Sequence, residues 1–295
     1  MNAKRVVMLA PAKVNLYLQV GDVRPDGYHE VTTVLQALDD RVADTLEIEL
    51  AQSLSVVCTP DIGVPAETNL VTRALRALAR EVGRAPLLSV VVNKRIPDGA
   101  GLGGGSSDAA AALVGACSLW SLDPSAPQVA RIARSLGADV PFFLNGGTAL
   151  YLERGDVLAR QLPTPQLHLV VVNPGVPTAT AEVYQAYDRL ERPEGPGLQV
   201  ALDAFAAGGV GFVAEGLFNG LSAAAQTVSP RIAHVLATLA STDGVRGVLL
   251  SGSGSSVVGI CDDAMGAQGV AAQIAGHGWW ARATASSDRG VRAIG

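Results

Sequence analysis

The segment Pro97-Asp98-Gly99-Ala100-Gly101-Leu102-Gly103-Gly104-Gly105-Ser106-Ser107-Asp108 carries the strongest chemical signal in this 295-residue chain. Five of the seven residues from 99 to 105 are glycine, which costs unfolded-chain entropy and opens backbone conformations closed to other residues. Such a run suits a place where backbone N–H groups converge on a ligand with no Cβ in the way. An Ala-rich helical stretch follows, so Ser106 or Ser107 is expected to cap it. The loop then delivers the helix N-terminus to the same point. Free amides, the positive end of the helix dipole and two hydroxyls make an anion site, and a polyphosphate is the natural ligand. Two named phosphate motifs do not apply. No lysine follows the glycines, as a Walker A loop requires. A literal GxGxxG occurs at Gly99, Gly101 and Gly104, but Asn93 to Asp98 separate it from the preceding strand. The acidic residue about twenty positions on, Asp123, follows the helix rather than a second strand. A flexible glycine loop without a ligand is the alternative.

Lysine use is the second signal. Of 22 basic residues only Lys4, Lys13 and Lys94 are lysine. An ammonium offers a compact charge and an adjustable pKa that arginine lacks, so Lys13 and Lys94 are candidates for specific tasks, with chance as the alternative. Residues 14–20, VNLYLQV, alternate as a strand. Val14, Leu16, Leu18 and Val20 are expected on one face, and Lys13, Asn15, Tyr17 and Gln19 on the other.

The elements that must position these residues read as α+β. Short strands are expected at 45–50, 54–58, 88–92 and 148–152, with helices at 69–81, 107–120 and 128–136. The composition changes after residue 155. Prolines at 163, 165, 174 and 177 surround an apolar strand at 167–172. Helical stretches are expected at 180–190, 198–206, 212–225 and 229–240. Strand, Ser/Gly loop, strand, helix and strand then run from 247 to 284. The early strands meet by short turns rather than helical crossovers, which favours α+β over a doubly wound sheet. Length points to two domains, 1–160 and 161–295.

Composition excludes several classes. Hydrophobic residues make up 48% and charged residues 17%, enough apolar surface to offset ordering entropy. A net charge of −5 with no basic run argues against nucleic-acid and membrane-surface partners. No stretch approaches the ~20 apolar residues of a membrane span. Cys58, Cys117 and Cys261 are scattered and odd in number, which supports neither a disulfide framework nor a zinc site and suits a reducing cytoplasm. Lys4-Arg5 before VVMLAPA hints at a signal peptide, but the apolar core from Val6 to Ala10 is short of the ~7–15 residues one needs.

The pattern PxxxGLGGGSSxAA resembles the second motif of the GHMP kinases, the superfamily of galactokinase, homoserine, mevalonate and phosphomevalonate kinases. Pro11-Ala12-Lys13-Val14-Asn15-Leu16 is similar to its first motif, and Leu250-Ser251-Gly252-Ser253-Gly254-Ser255-Ser256 to its third. All three stand in the expected order. Pro25-Asp26-Gly27-Tyr28-His29-Glu30 and Gly137-Ala138-Asp139-Val140-Pro141-Phe142-Phe143 resemble the branch that phosphorylates the 2-hydroxyl of a cytidine-diphosphate-linked methylerythritol on the route to isoprenoid precursors. The resemblance implies the two-domain fold of that superfamily, with a ribosomal-S5-like N-terminal and a ferredoxin-like C-terminal domain. It also implies ATP as co-substrate, Mg²⁺ held mainly by the phosphates, and a small-molecule partner. Other members, acting on homoserine, mevalonate or a sugar, would share the glycine loop without needing PDGYH. A nucleotide sensor without turnover would need neither Lys13 nor Asp139.

The resemblance also implies roles. Asp139 accepts or orients the acceptor hydroxyl, and Lys13 beside it stabilises developing negative charge. Taken alone, Asp139 before Val140-Pro141 reads as a helix cap or turn residue, and Lys13 as a solvated lysine; the resemblance reverses both readings. Asn15 is implied to bind substrate phosphate or hydroxyl, Tyr28 to stack on cytosine and His29 to bond its edge. Tyr184 is implied as the second aromatic and Thr180 as a neighbouring contact, where core packing is the plain alternative for Tyr184. Asn69 and Lys94 are implied at the adenosine. Pro97, Gly99, Gly101, Leu102, Gly103, Gly104, Gly105, Ser106 and Ser107 are implied around the phosphates. Ser251, Gly252 and Ser253 are implied to close over the site, a hairpin turn being the alternative.

Overall fold

The computed structural model describes residues 5–294. The chain begins with β1 (Arg5–Pro11), β2 (Lys13–Val23), β3 (His29–Ala37), β4 (Ala43–Leu50) and β5 (Ser55–Thr59). α1 (Leu70–Glu81), β6 (Leu88–Asn93), α2 (Gly104–Trp120), α3 (Pro127–Leu136) and α4 (Val140–Asn145) follow. Next come β7 (Thr148–Leu152), β8 (Val157–Leu162), β9 (His168–Asn173), α5 (Thr180–Tyr187), α6 (Leu198–Ala207) and α7 (Val210–Gly216). The chain ends with β10 (Phe218–Asn219), α8 (Ser222–Val228), α9 (Pro230–Ala240), β11 (Val245–Leu250), β12 (Val257–Cys261), α10 (Ala264–Ala275), β13 (Trp280–Ala285) and β14 (Arg292–Ala293).

Three sheets form among the described residues. Their orders are β14-β1-β4-β6-β5, β10-β2-β3-β7-β8 and β11-β12-β9-β13. The third is antiparallel throughout and has the split βαβ arrangement of ferredoxin-like domains. β9 reads as an unbroken apolar run because both its faces are covered. Leu169 and Val171 pack with Tyr17, Phe205 and Val213, while Val170 and Val172 pack with Val183, Ile232 and Ile274. α2 is Ala-rich for a similar reason. It lies against the first sheet so closely that a side chain at Gly115 would meet Ile48 and Met8. No helix among the described residues is long and apolar enough to cross a membrane.

Three expectations need correction. The alternation of β2 breaks at Leu16, where a bulge shifts the register between Asn15 and Tyr17. An extra residue inverts the facing of everything beyond it. Tyr17 therefore packs with Val14 and Leu16, whereas Leu18 turns to the side of Lys13 and Asn15 and lines the same cavity. The stretch 212–225 is two helices with β10 between them, because Asn219 bonds outward to other segments. α2 begins at Gly104 with Gly103 at the N-cap and no side-chain cap, so Ser106 and Ser107 lie inside its first turn.

Candidate active site

Lys13 opens β2, and its Nζ lies 3.4 Å from Asp139 Oδ2. The ammonium donates to Asn15 Oδ1 at 2.8 Å, Asn15 Nδ2 donates to Thr33 Oγ1 at 2.9 Å, and that hydroxyl donates to the Tyr17 carbonyl at 2.7 Å. This chain of bonds engages both ends of the Asn15 amide and fixes the buried lysine. Asp139 occupies the N-cap position of α4 yet makes no capping bond. Its carboxylate instead lines a cavity of about 660 Å³, together with Lys13 and Asn15.

One wall of that cavity is the glycine-rich loop, through Gly99, Gly101, Gly103 and Ser106. Gly99, Gly101 and Gly103 have φ of +60°, +76° and +71°, the left-handed region that glycine enters without strain. The adjoining wall is the loop after β11, through Gly252, Ser253 and Gly254. The loops are stitched together. Ser251 Oγ donates to the Gly101 carbonyl at 2.9 Å and the Ser256 amide to the Ala100 carbonyl at 3.0 Å. The Lys13 amide donates to the Leu102 carbonyl at 3.0 Å. The amides of Gly104, Gly105 and Ser106 belong to the first turn of α2, which has no i−4 acceptors. They stand at the positive end of the dipole of a 17-residue helix.

A Cβ at Gly101 would fall on the Ser251 carbonyl and 2.9 Å from that of Gly254. Backbone cannot yield as a side chain can. Gly101→Ala should therefore push the two loops apart and weaken nucleotide binding by roughly tenfold or more, with a lowered Tm. Calorimetric titration with ATP and a thermal melt check this. An unchanged affinity would mean that the loops need not close on each other.

The far end of the cavity is aromatic. Tyr28 is 59% exposed, and the Arg154 guanidinium lies 5.3 Å from its ring centroid. His29 lies 5.0 Å from Tyr184, and burial pushes the Tyr184 hydroxyl up to about 12. Thr180 and Ser253 share a hydrogen bond of 2.9 Å between their hydroxyls.

Other implied residues lie off the cavity. Asn69 is the N-cap of α1, accepting from the Val71 amide at 2.9 Å. Lys94 is enclosed, with Nζ 2.5 Å from Asp44 Oδ2 and 2.7 Å from Asp108 Oδ2. Burial opposes its charge, but Asp108 and Asp44 outweigh that and raise its pKa. The triad sits directly beneath the start of α2, its ammonium 3.3 Å from where a Cβ of Gly104 would be. Pro97, Leu102, Gly104, Gly105 and Ser107 sit beside or behind the cavity wall, and Ser251 is buried behind it.

The sequence reading missed Arg154, Asp188 and Asn219. Arg154 lies in the turn between β7 and β8, and the pairing of β7 with β3, continued by a Val31–Arg154 bridge, brings it to Tyr28. Asp188 stands four residues after Tyr184, a helical spacing that pointed to it. Asn219 donates to the carbonyls of Leu250 and Gly252 at 2.7 and 2.8 Å and accepts from the Leu221 amide at 2.8 Å. It holds the second loop in place from β10.

Residues 69–147 match the family model of the GHMP kinases N terminal domain, and residues 201–278 that of the GHMP kinases C terminal. The chain belongs to the GHMP kinases. The kinase is 42% identical over 280 residues to a 4-diphosphocytidyl-2-C-methyl-D-erythritol kinase of Nocardia farcinica, covering 92% of this chain and 90% of that one. It is 40% identical over 285 residues to the Mycobacterium tuberculosis protein of the same name, covering 92% and 87%. A crystal structure of a 4-(cytidine 5'-diphospho)-2C-methyl-D-erythritol kinase superposes with a TM-score of 0.78 at 35% identity, over 95% of this chain and 99% of that one. A homoserine kinase from Cytophaga hutchinsonii, at TM-score 0.76 and 17% identity, shares the fold.

Proposed function

We propose that this GHMP kinase transfers the γ-phosphoryl group of ATP to the 2-hydroxyl of 4-diphosphocytidyl-2-C-methyl-D-erythritol. The observation that carries the reading is one cavity with a Lys13–Asp139 pair at its centre. The N-terminal end of α2 stands on one side and the Tyr28, His29 and Tyr184 cluster on the other. ATP is the co-substrate of the family. Its phosphates would lie on the Gly99–Ser106 loop, and the base of the acceptor between the aromatic rings, where a base–aromatic stack contributes about 1–3 kcal/mol. Asp139 would accept the hydroxyl proton or orient the hydroxyl for in-line attack, and Lys13 would stabilise the transferred group. Arg154 and Thr180 would contact the acceptor. In this reading residues 1–160 supply the phosphate loop and the reacting pair, while 161–295 supply the acceptor side and the covering loop.

Mg²⁺ would enter with ATP and neutralise phosphate charge. Mg²⁺ keeps several waters and few protein ligands, so the phosphates would be its main holders. A cytoplasmic setting accords with Cys58, Cys117 and Cys261 as free thiols. The test is ADP release by purified protein with Mg-ATP and the cytidine compound, with homoserine, mevalonate and galactose alongside. Turnover of the cytidine compound alone is the expected result. Turnover of another alcohol instead would overturn the acceptor assignment and keep the kinase chemistry.

A further inference from the structure

His29 is held more firmly than a base-contacting side chain on a turn requires. Tyr184 lies against one side at 5.0 Å with a tilt of 33°, and Tyr187 meets it edge-on at 6.1 Å. Tyr187 is itself fixed, its hydroxyl donating to the Val20 carbonyl at 2.9 Å. The ring's Nε2 lies 2.8 Å from Asp188 Oδ1. A carboxylate only accepts, so Nε2 carries the proton of this bond. Nδ1 has no hydrogen-bond partner among the described residues, and it is not among their buried unpaired atoms. His29 lines the cavity, and its unpaired Nδ1 is not fully buried.

We propose that Asp188 is a positioning residue that selects the base. By taking the Nε2–H of His29, it leaves Nδ1 as the ring's only nitrogen with a lone pair to accept. An acceptor at that point suits a pyrimidine carrying an exocyclic amine and disfavours one carrying a carbonyl, which would set two lone pairs against each other. The kinase therefore discriminates cytidine-linked from uridine-linked acceptors through the carboxylate that orients His29, itself a residue of the cavity lining. This rests on the acceptor assignment made above. A site built to bond an N–H rejects its absence more strongly than an apolar site rejects a change of size.

The experiment compares wild type, Asp188→Ala and Asp188→Asn with the cytidine- and uridine-diphosphate-linked methylerythritols, and records the ¹⁵N shifts of His29 in each protein. Asp188 is half exposed at the C-cap of α5, so its truncation leaves the core intact. The expected wild-type spectrum shows the proton on Nε2, with cytidine preferred in kcat/KM by roughly a hundredfold or more. Asp188→Ala should mix the tautomers and reduce that preference by about tenfold, mainly by raising KM for the cytidine compound. Asp188→Asn, whose amide oxygen still accepts from Nε2–H, should retain most of the preference. An unchanged preference in Asp188→Ala, or a wild-type proton on Nδ1, would overturn the proposal while leaving the kinase assignment standing. If wild type turned over neither compound, the acceptor assignment would fall and this inference with it.

Discussion

Asp139→Asn should lower kcat by about 10²–10⁴ while ATP binding stays near its wild-type value. The substitution is close to isosteric, and no capping bond of α4 is lost because Asp139 makes none. The fold should therefore be undisturbed, and a thermal melt close to wild type would confirm this. The amide oxygen can still accept from the neighbouring Lys13, so the buried ammonium is not abandoned. What disappears is a carboxylate able to take a proton from the attacking hydroxyl. Turnover by ADP release, set beside calorimetric titration with ATP, separates the two effects. Near-normal turnover would reduce Asp139 to a residue that orients the acceptor, because an amide can orient but cannot accept a proton.

Lys13→Met should lower kcat by about 10²–10³ with a smaller change in KM for either substrate. Methionine fills the buried stem, so the packing loss is small, and the positive charge is removed from the centre of the cavity. Asn15 would then lose the donor of its 2.8 Å bond. Arginine should not rescue this variant. An ammonium is a compact point charge and a guanidinium a planar fork, which would not place its donors where Nζ meets Asn15 and Asp139. Steady-state kinetics with each substrate varied in turn make the measurement. A defect confined to KM would assign Lys13 to ground-state binding and remove it from the chemical step.

The sequence shows this site best where backbone chemistry narrows the choice of residue. The loop from Gly99 to Gly105 is legible because positive φ and close approach permit little else. Lys13 and Asn15 are legible because two residues of a strand share a face whatever follows. Their continuation is not, because Leu16, Tyr17 and Leu18 all suit a buried position and so conceal the bulge among them. α4 has six residues, too few for a helical period, and its PFF core suits a strand equally well. The surroundings of Lys94 are set by partners 50 and 14 residues away, contacts that no local pattern encodes. Asn219 belongs to a two-residue strand whose pairing with β2 is long-range.

That two-residue strand has a counterpart at the other end of the molecule. β10 pairs with β2 and β14 with β1, so segments late in the chain occupy one outer edge of each of the two sheets otherwise made by residues 5–162. During synthesis these edges stay unpaired until residues 218 and 292 have emerged, and open edges invite pairing with other chains. The order of translation therefore runs against the order of assembly. A ribosome that stalls just after β8 would leave a nascent chain with β1 and β2 both open, the second of them carrying Lys13.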